Sequence, residues 1–273
     1  MAKSWRDKKE EFVTLFSDFS TSGQMESLEA FKTRTGSFIW NSLSKEFDLW
    51  VSPSVTKKVD FKGEYREFFG NTVVFLLEDE VLDYIDRIQQ KLEKIREDYK
   101  YNQPEAYLAD ALKKETYHIT LHDLINGPDR EMIKDEMQYT EKKVLYILNK
   151  LKETDYPIIK MEPVCMYNMN STSVVLGFQP VSEEDHQNLM MLYQLFQTVV
   201  ELSYPLTPHV TLSYFRYGKH KSEKLSNLRA LIQEINTQID ADKKEGKGLV
   251  VELDVKQLVY QRFSSMNHYF GEE

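Results

Sequence analysis

The sequence contains a single cysteine, Cys165, in 273 residues. A lone thiol excludes an intramolecular disulfide and fits a reducing compartment, with Cys165 itself read as a small buried apolar residue. Long apolar runs are also missing: nothing approaches the roughly 18 consecutive apolar residues of a membrane span. The N-terminal stretch MAKSWRDKKEEF has no apolar centre of the kind a secretory signal needs. The expected location is therefore cytoplasmic, with no membrane partner. Positive charge is in deficit, with 35 Lys and Arg against 44 Asp and Glu and a net charge of -9. That balance argues against a broad DNA-binding surface, which must displace counterions with a basic face. It is compatible with a small anionic ligand held in a local pocket.

What is present suits an ordered globular chain: 41% apolar, 12% aromatic and 29% charged residues, long enough for one large domain or two small ones. One short pattern occurs twice, His118-Ile119-Thr120-Leu121 and His209-Val210-Thr211-Leu212. Period-2 alternation in a strand places each His and Thr on one face and the apolar pair on the other. The His and Thr then stand roughly 7 Å apart along the strand. That separation can bracket a phosphate but cannot give two ligands to one metal ion. Two such matches among six histidines arise by accident in roughly a per cent of chains of average composition.

The surroundings of the two copies repeat as well. Helices are expected from about Trp5 to Phe19 and from Met25 to Phe47, then a buried strand at Thr72–Leu77 and a helix at Glu80–Tyr99. A short helix over Glu105–Lys113 leads into the first His strand, which the turn residues Asn126-Gly127-Pro128-Asp129 end. A helix at Thr140–Thr154 and strands at 158–162 and 174–178 follow, then a helix at Glu183–Leu202 and the second His strand. The chain closes with a helix over 224–239 and strands at 249–255 and 257–263. Thr72-Val73-Val74-Phe75, a helix and His118-Ile119-Thr120 thus correspond to Ser173-Val174-Val175-Leu176, a helix and His209-Val210-Thr211. A repeat about a hundred residues long means two similar lobes, not a solenoid. A pseudo-twofold relation would turn both His faces toward a common cleft.

Two facing imidazoles suit general acid–base catalysis near neutrality, and two hydroxyls can bind the non-bridging oxygens of a phosphate. Together with the duplication, the paired His-x-Thr motifs resemble those of the 2H phosphoesterase superfamily, including the LigT-like and cyclic-phosphodiesterase-like enzymes. The likeness covers roughly Gly70 to Phe263, and Phe69-Gly70-Asn71-Thr72-Val73-Val74 looks like the opening strand of some bacterial members. The resemblance implies a bilobal α+β fold with two antiparallel sheets around a central cleft. It also implies cofactor-free, metal-independent hydrolysis of cyclic or 2′-5′ phosphodiesters in a nucleotide or short RNA. The catalytic roles carry over to His118 and His209, and phosphate binding to Thr120 and Thr211. Residues 1–70 are expected to form a helical extension packed on a 71–273 core, covering or narrowing the cleft.

Further substrate contacts are expected from Tyr214 and Arg216, which follow the second motif, from Tyr167 and Asn168 before an inner strand, and from His122 at the rim. His186, His220 and His268 are read as solvent-facing. Two rival functions remain on the sequence: a nucleotide sensor that keeps the pocket without turnover, and a metal-dependent hydrolase built on the histidines and abundant carboxylates.

Overall fold

The computed structural model describes residues 26–100 and 106–271; the helix expected over Trp5–Phe19 lies outside the described residues. In chain order the elements are α1 (Leu28–Leu43), β1 (Leu49–Trp50), β2 (Phe69–Leu76), α2 (Asp79–Lys100) and β3 (His118–Gly127). Next come α3 (Arg130–Lys152), β4 (Ile159–Met169), β5 (Ser173–Pro180), α4 (Glu183–Gln197) and β6 (His209–Tyr214). The remainder is β7 (Lys219–His220), α5 (Ser226–Lys244), β8 (Val251–Leu253), β9 (Leu258–Ser265) and β10 (His268–Phe270).

Two four-stranded antiparallel sheets result, ordered β10-β9-β2-β3 and β6-β5-β4-β8. In each, a His strand forms one edge beside the strand that opens its half of the repeat. The registers coincide residue for residue. Val73, Val74, Phe75 and Leu76 face His122, Thr120, Ile119 and His118. In the second lobe Val174, Val175, Leu176 and Gly177 face Ser213, Thr211, Val210 and His209. Both ladders slip by one residue at the same place, leaving Leu121 in one strand and Leu212 in the other without an opposite partner. An extra residue of this kind bends a strand and reverses its side-chain alternation beyond the bulge.

The two His edges meet because the segment before β3 is stitched to the end of β6. Leu108 bridges Phe215, the Ala109 N–H donates to the Tyr214 carbonyl, and the Arg216 N–H donates to the Tyr107 carbonyl, both at 2.8 Å. This ladder replaces the helix expected over Glu105–Lys113: residues 106–113 are extended or irregular. Tyr107, Leu108, Ala109 and Leu112 are buried between the lobes, and that burial outweighs the helical preference of the alanine-containing segment. One apolar core runs through both halves, from Val73 and Ile119 to Leu176 and Val210.

Other boundaries move for local reasons. α3 starts ten residues before the expected Thr140, because the Asp129 side chain accepts from the Glu131 N–H and caps a first stretch whose Met132 and Tyr139 are exposed. α4 stops at Gln197, whose side-chain oxygen accepts from the Leu202 N–H, freeing 198–208 to run over the cleft. In β2, an added Cβ on Gly70 would meet the Ile125 carbonyl at 2.6 Å. The neighbouring Asn71 accepts from the Ile125 N–H and donates to Thr140 Oγ1. These contacts explain the Phe-Gly-Asn-Thr opening of that strand as a close backbone approach with a satisfied buried amide.

Of the first 70 residues, α1 lies against β4 and α5, with the Phe38 ring stacked 5.3 Å from Tyr167. β1 pairs with β7 in the second half, while the Phe68 N–H donates to the Ser264 carbonyl in the first. This stretch is therefore tied to both lobes. Among the described residues no helix is long and apolar enough to cross a membrane.

Candidate active site

An open cleft of about 1060 Å³, counting its mouth, lies where the two His edges face each other, and His118, Thr120, His209 and Thr211 all line it. The duplicated sequence explains the placement: Ile119 and Val210 are buried in the core, so the residues on either side must face outward into the seam.

Each imidazole is held by a main-chain group two residues before it. His209 Nδ1 donates to the Thr207 carbonyl at 2.7 Å, and the His118 ring makes the corresponding hydrogen bond to the Thr116 backbone. A carbonyl can only accept, so Nδ1 of His209 carries the hydrogen and Nε2 is left for proton transfer. Removal from bulk water, chiefly, pulls His118 down to about 4, with the neighbouring His209 charge acting the same way and the Thr116 bond and Asp123 opposing it. His209 is also lowered from its ordinary value by burial, with Lys58 adding to the effect and the Thr207 bond and Asp123 opposing it. That His118 feels His209, and that both feel Asp123, puts the three groups within electrostatic reach of one another.

Asp123 was not legible as a site residue. Its odd spacing from His118 assigns it to the wrong face, but the bulge at Leu121 brings it back to the cleft, where its carboxylate accepts from Tyr204 Oη at 2.8 Å. The same bulge corrects the placement of His122. Beyond it the alternation reverses, so His122 is only 1% exposed and turned away from the cleft. Its ring packs against Tyr193 and Phe196, and its Nε2 lies 3.3 Å from Gln197 Oε1.

The remaining expectations divide. Tyr214 lines the cleft, its hydroxyl donating to Met266 Sδ at 3.1 Å. Arg216 does not: its guanidinium is taken up by the Phe61 carbonyl, at 2.6 Å from Nη2, on another face. Tyr167 is buried under the Phe38 ring, which covers the face expected to meet a ligand. Asn168 is half-buried at a turn, where its side chain accepts from the Ser171 N–H, and it borders a different depression beside α1. His186 is a core residue, edge-on to Phe31 at 5.7 Å, and not solvent-facing. His220 is half-buried with Nε2 2.9 Å from the Arg216 carbonyl oxygen, and His268 is exposed. Cys165 is buried, which pushes its thiol up to about 12 and leaves it the inert apolar filler expected of it.

Three further residues near the site carry no motif. The Tyr269 ring stands edge-on to His118 at 4.8 Å. Arg34, in α1, donates from Nη1 to Thr207 Oγ1 at 2.6 Å and from Nη2 to the Leu206 carbonyl at 2.7 Å, while Glu26 accepts from its Nε and Nη2. It thereby braces the loop whose carbonyl restrains His209. Lys58 reaches the cleft wall from the segment before β2. Among the described residues no group of three or more His, Cys, Asp and Glu side chains is arranged to share a metal ion.

The class defined by this fold is a mixed α+β, two-lobed protein with antiparallel sheets and paired His-x-Thr strands at their seam. Among solved structures it is similar to ATU0111 of Agrobacterium tumefaciens, described as a conserved protein of unknown function. The TM-score is 0.55 at 16% identity, covering 81% of this chain and 98% of that one. At that identity the likeness is one of fold. Similar structures also include TT0787 of Thermus thermophilus (TM-score 0.42, 11% identity, 75% of this chain and 95% of that one). They include E. coli LigT complexed with 3′-AMP as well (TM-score 0.39, 13% identity, 76% and 97%). No protein-family model and no curated sequence matches the chain.

Proposed function

We propose that this chain is a 2H-type phosphoesterase that hydrolyses a cyclic or 2′-5′ phosphodiester in a nucleotide or short RNA, without a metal ion or cofactor. What supports this most is the doubling of one device: two imidazole–hydroxyl couples, on strands with the same bulge and the same restraint from residue i−2, bordering a single cleft. A lone satisfied strand histidine explains neither the repetition nor the convergence.

In the reaction, the imidazole that enters neutral takes a proton from water as the water oxygen bonds to phosphorus. The imidazole that enters charged gives its proton to the ribose oxygen as the bond between that oxygen and phosphorus breaks. The Thr120 and Thr211 hydroxyls donate to the non-bridging oxygens, where negative charge grows in the transition state. Asp123 favours the charged form of either ring, offsetting part of the penalty of burial. From the extension before residue 71, Lys58 and Phe68 add to the cleft wall.

The test is incubation with 2′,3′-cyclic AMP followed by chromatography for the monophosphate. Turnover that persists in EDTA and falls by about 10² to 10⁴ in His118→Ala and in His209→Ala is the expected result. Undiminished hydrolysis by either variant overturns the assignment. Nucleotide that binds and is recovered uncleaved makes the protein a sensor instead.

A further inference from the structure

Lys58 enters the cleft from outside both lobes, and its position is fixed. It follows the short helical turn Pro53–Lys57, its N–H donating to the Val55 carbonyl, and its own carbonyl accepts from the Arg66 N–H at 2.9 Å. Val55 and Val59 on either side are buried, so the backbone around Lys58 is anchored. Its Nζ lies 5.4 Å from the centre of the Phe68 ring and 5.3 Å from that of Tyr214. Both distances fall within the roughly 6 Å over which an aromatic face attracts a cation.

Among the described residues this ammonium forms no ion pair, although acids outnumber bases by nine along the chain. A half-buried ammonium held against two aromatic faces at the wall of a cleft is placed to meet an incoming anion. The charge is also off-centre. It acts on His209, whereas the charges acting on His118 are those of His209 and Asp123. Lys58 therefore opposes a proton on His209, and an anion seated on Lys58 cancels that opposition. The diester to be cut already has two imidazoles and two hydroxyls to hold it.

We propose that Lys58 is a subsite for a second anionic group of the substrate, a terminal phosphate monoester beside the diester that is cleaved. This rests on the phosphodiesterase reading and narrows it to nucleotides or oligonucleotides that carry an additional terminal phosphate. The aromatic pair keeps the ammonium extended toward the cleft, and the fixed turn sets how far from His209 the second phosphate sits.

The experiment is calorimetric binding of adenosine 3′-monophosphate and adenosine 3′,5′-bisphosphate to the full chain, to Lys58→Met and to Lys58→Arg. Hydrolysis of 2′,3′-cyclic AMP by the wild-type protein is measured alongside. The wild-type protein is expected to bind the bisphosphate at least about tenfold more tightly than the monophosphate. Lys58→Met should abolish that advantage and Lys58→Arg should keep it, with thermal midpoints checked so that a folding defect is not read as lost recognition. Lys58→Gln serves in place of Lys58→Met should the latter fail to fold. Equal wild-type affinities, a preference that survives Lys58→Met, or a loss that strikes both ligands alike overturns the subsite. If cyclic AMP is cleaved while these signs are absent, the subsite alone is wrong. If cyclic AMP is not cleaved and neither nucleotide binds, the phosphodiesterase reading falls and takes the subsite with it.

Discussion

In the first lobe the imidazole of His118 leans on the Tyr269 ring, supplied by the C-terminal β10 at 4.8 Å between centroids. In the second, the ring of His209 is braced through Thr207 by Arg34 and approached by Lys58, both from the stretch before β2. The strands are otherwise built to one plan, down to the unpaired leucine after each threonine. On the proposed chemistry, the shared part is what a phosphate between two proton carriers requires. The parts that differ surround it and are where the choice of substrate can be made. Beyond the bulge the copies also diverge in identity, His122 and Asp123 in one strand against Ser213 and Tyr214 in the other.

The largest effect should come from breaking what the lobes share. His118→Ala and His209→Ala are each expected to lower kcat by about 10² to 10⁴ with the fold intact. His122→Ala provides the contrast on the same strand: a cavity beside Tyr193 and Phe196 should cost about 2 kcal/mol of stability with little change in turnover at a temperature where the variant stays folded. Denaturant melts and initial rates on the three proteins measure this. Next in size are Thr120→Ala and Thr211→Ala, each removing one donor to a charged oxygen and lowering kcat about 10- to 100-fold. A loss seen in one lobe only would show that the hydroxyls do not act as a pair.

The pH profile reports on the surroundings of the two rings. Both rings are pulled below their ordinary value of 6.5, His118 to about 4, so the charged ring the reaction needs becomes scarcer as pH rises. For the free enzyme, kcat/KM should therefore fall on going from pH 6.5 toward 8. Among the described residues the charges acting on the rings are Asp123 on both, His209 on His118 and Lys58 on His209. Asp123→Asn removes the one that favours protonation, so the alkaline limb should move further toward acid and kcat/KM at pH 7 should drop about tenfold. A limb that stays in place would show that Asp123 does not set the proton affinity of either imidazole. The smallest effect is expected from Arg216→Ala, within about twofold in kcat/KM, because that guanidinium is engaged with the Phe61 carbonyl on another face.

The lobes, their order and the four motif residues were legible because the information is local and repeated: strand alternation, helical stripes and turn residues at matching offsets. The bulges were not, since a slip of one residue is decided by pairing with the opposite strand, and nothing in His-Ile-Thr-Leu-His announces it. That single feature misplaced His122 and hid Asp123. Tyr167 and Asn168 lie away from the cleft for another reason, because α1 covers the outer face of β4 from far away in sequence. Lys58, Arg34 and Tyr269 reach the site from segments with no motif, and only the tertiary packing brings them there.

The proposed chemistry requires two imidazoles to meet one phosphate, and the side-chain ¹⁵N resonances of the histidines during titration with adenosine 3′-monophosphate test this most directly. His118 and His209 should shift together, saturate at one equivalent of ligand and both become easier to protonate, with His122 unmoved. A response from one ring alone, or from the two at different ligand concentrations, contradicts it.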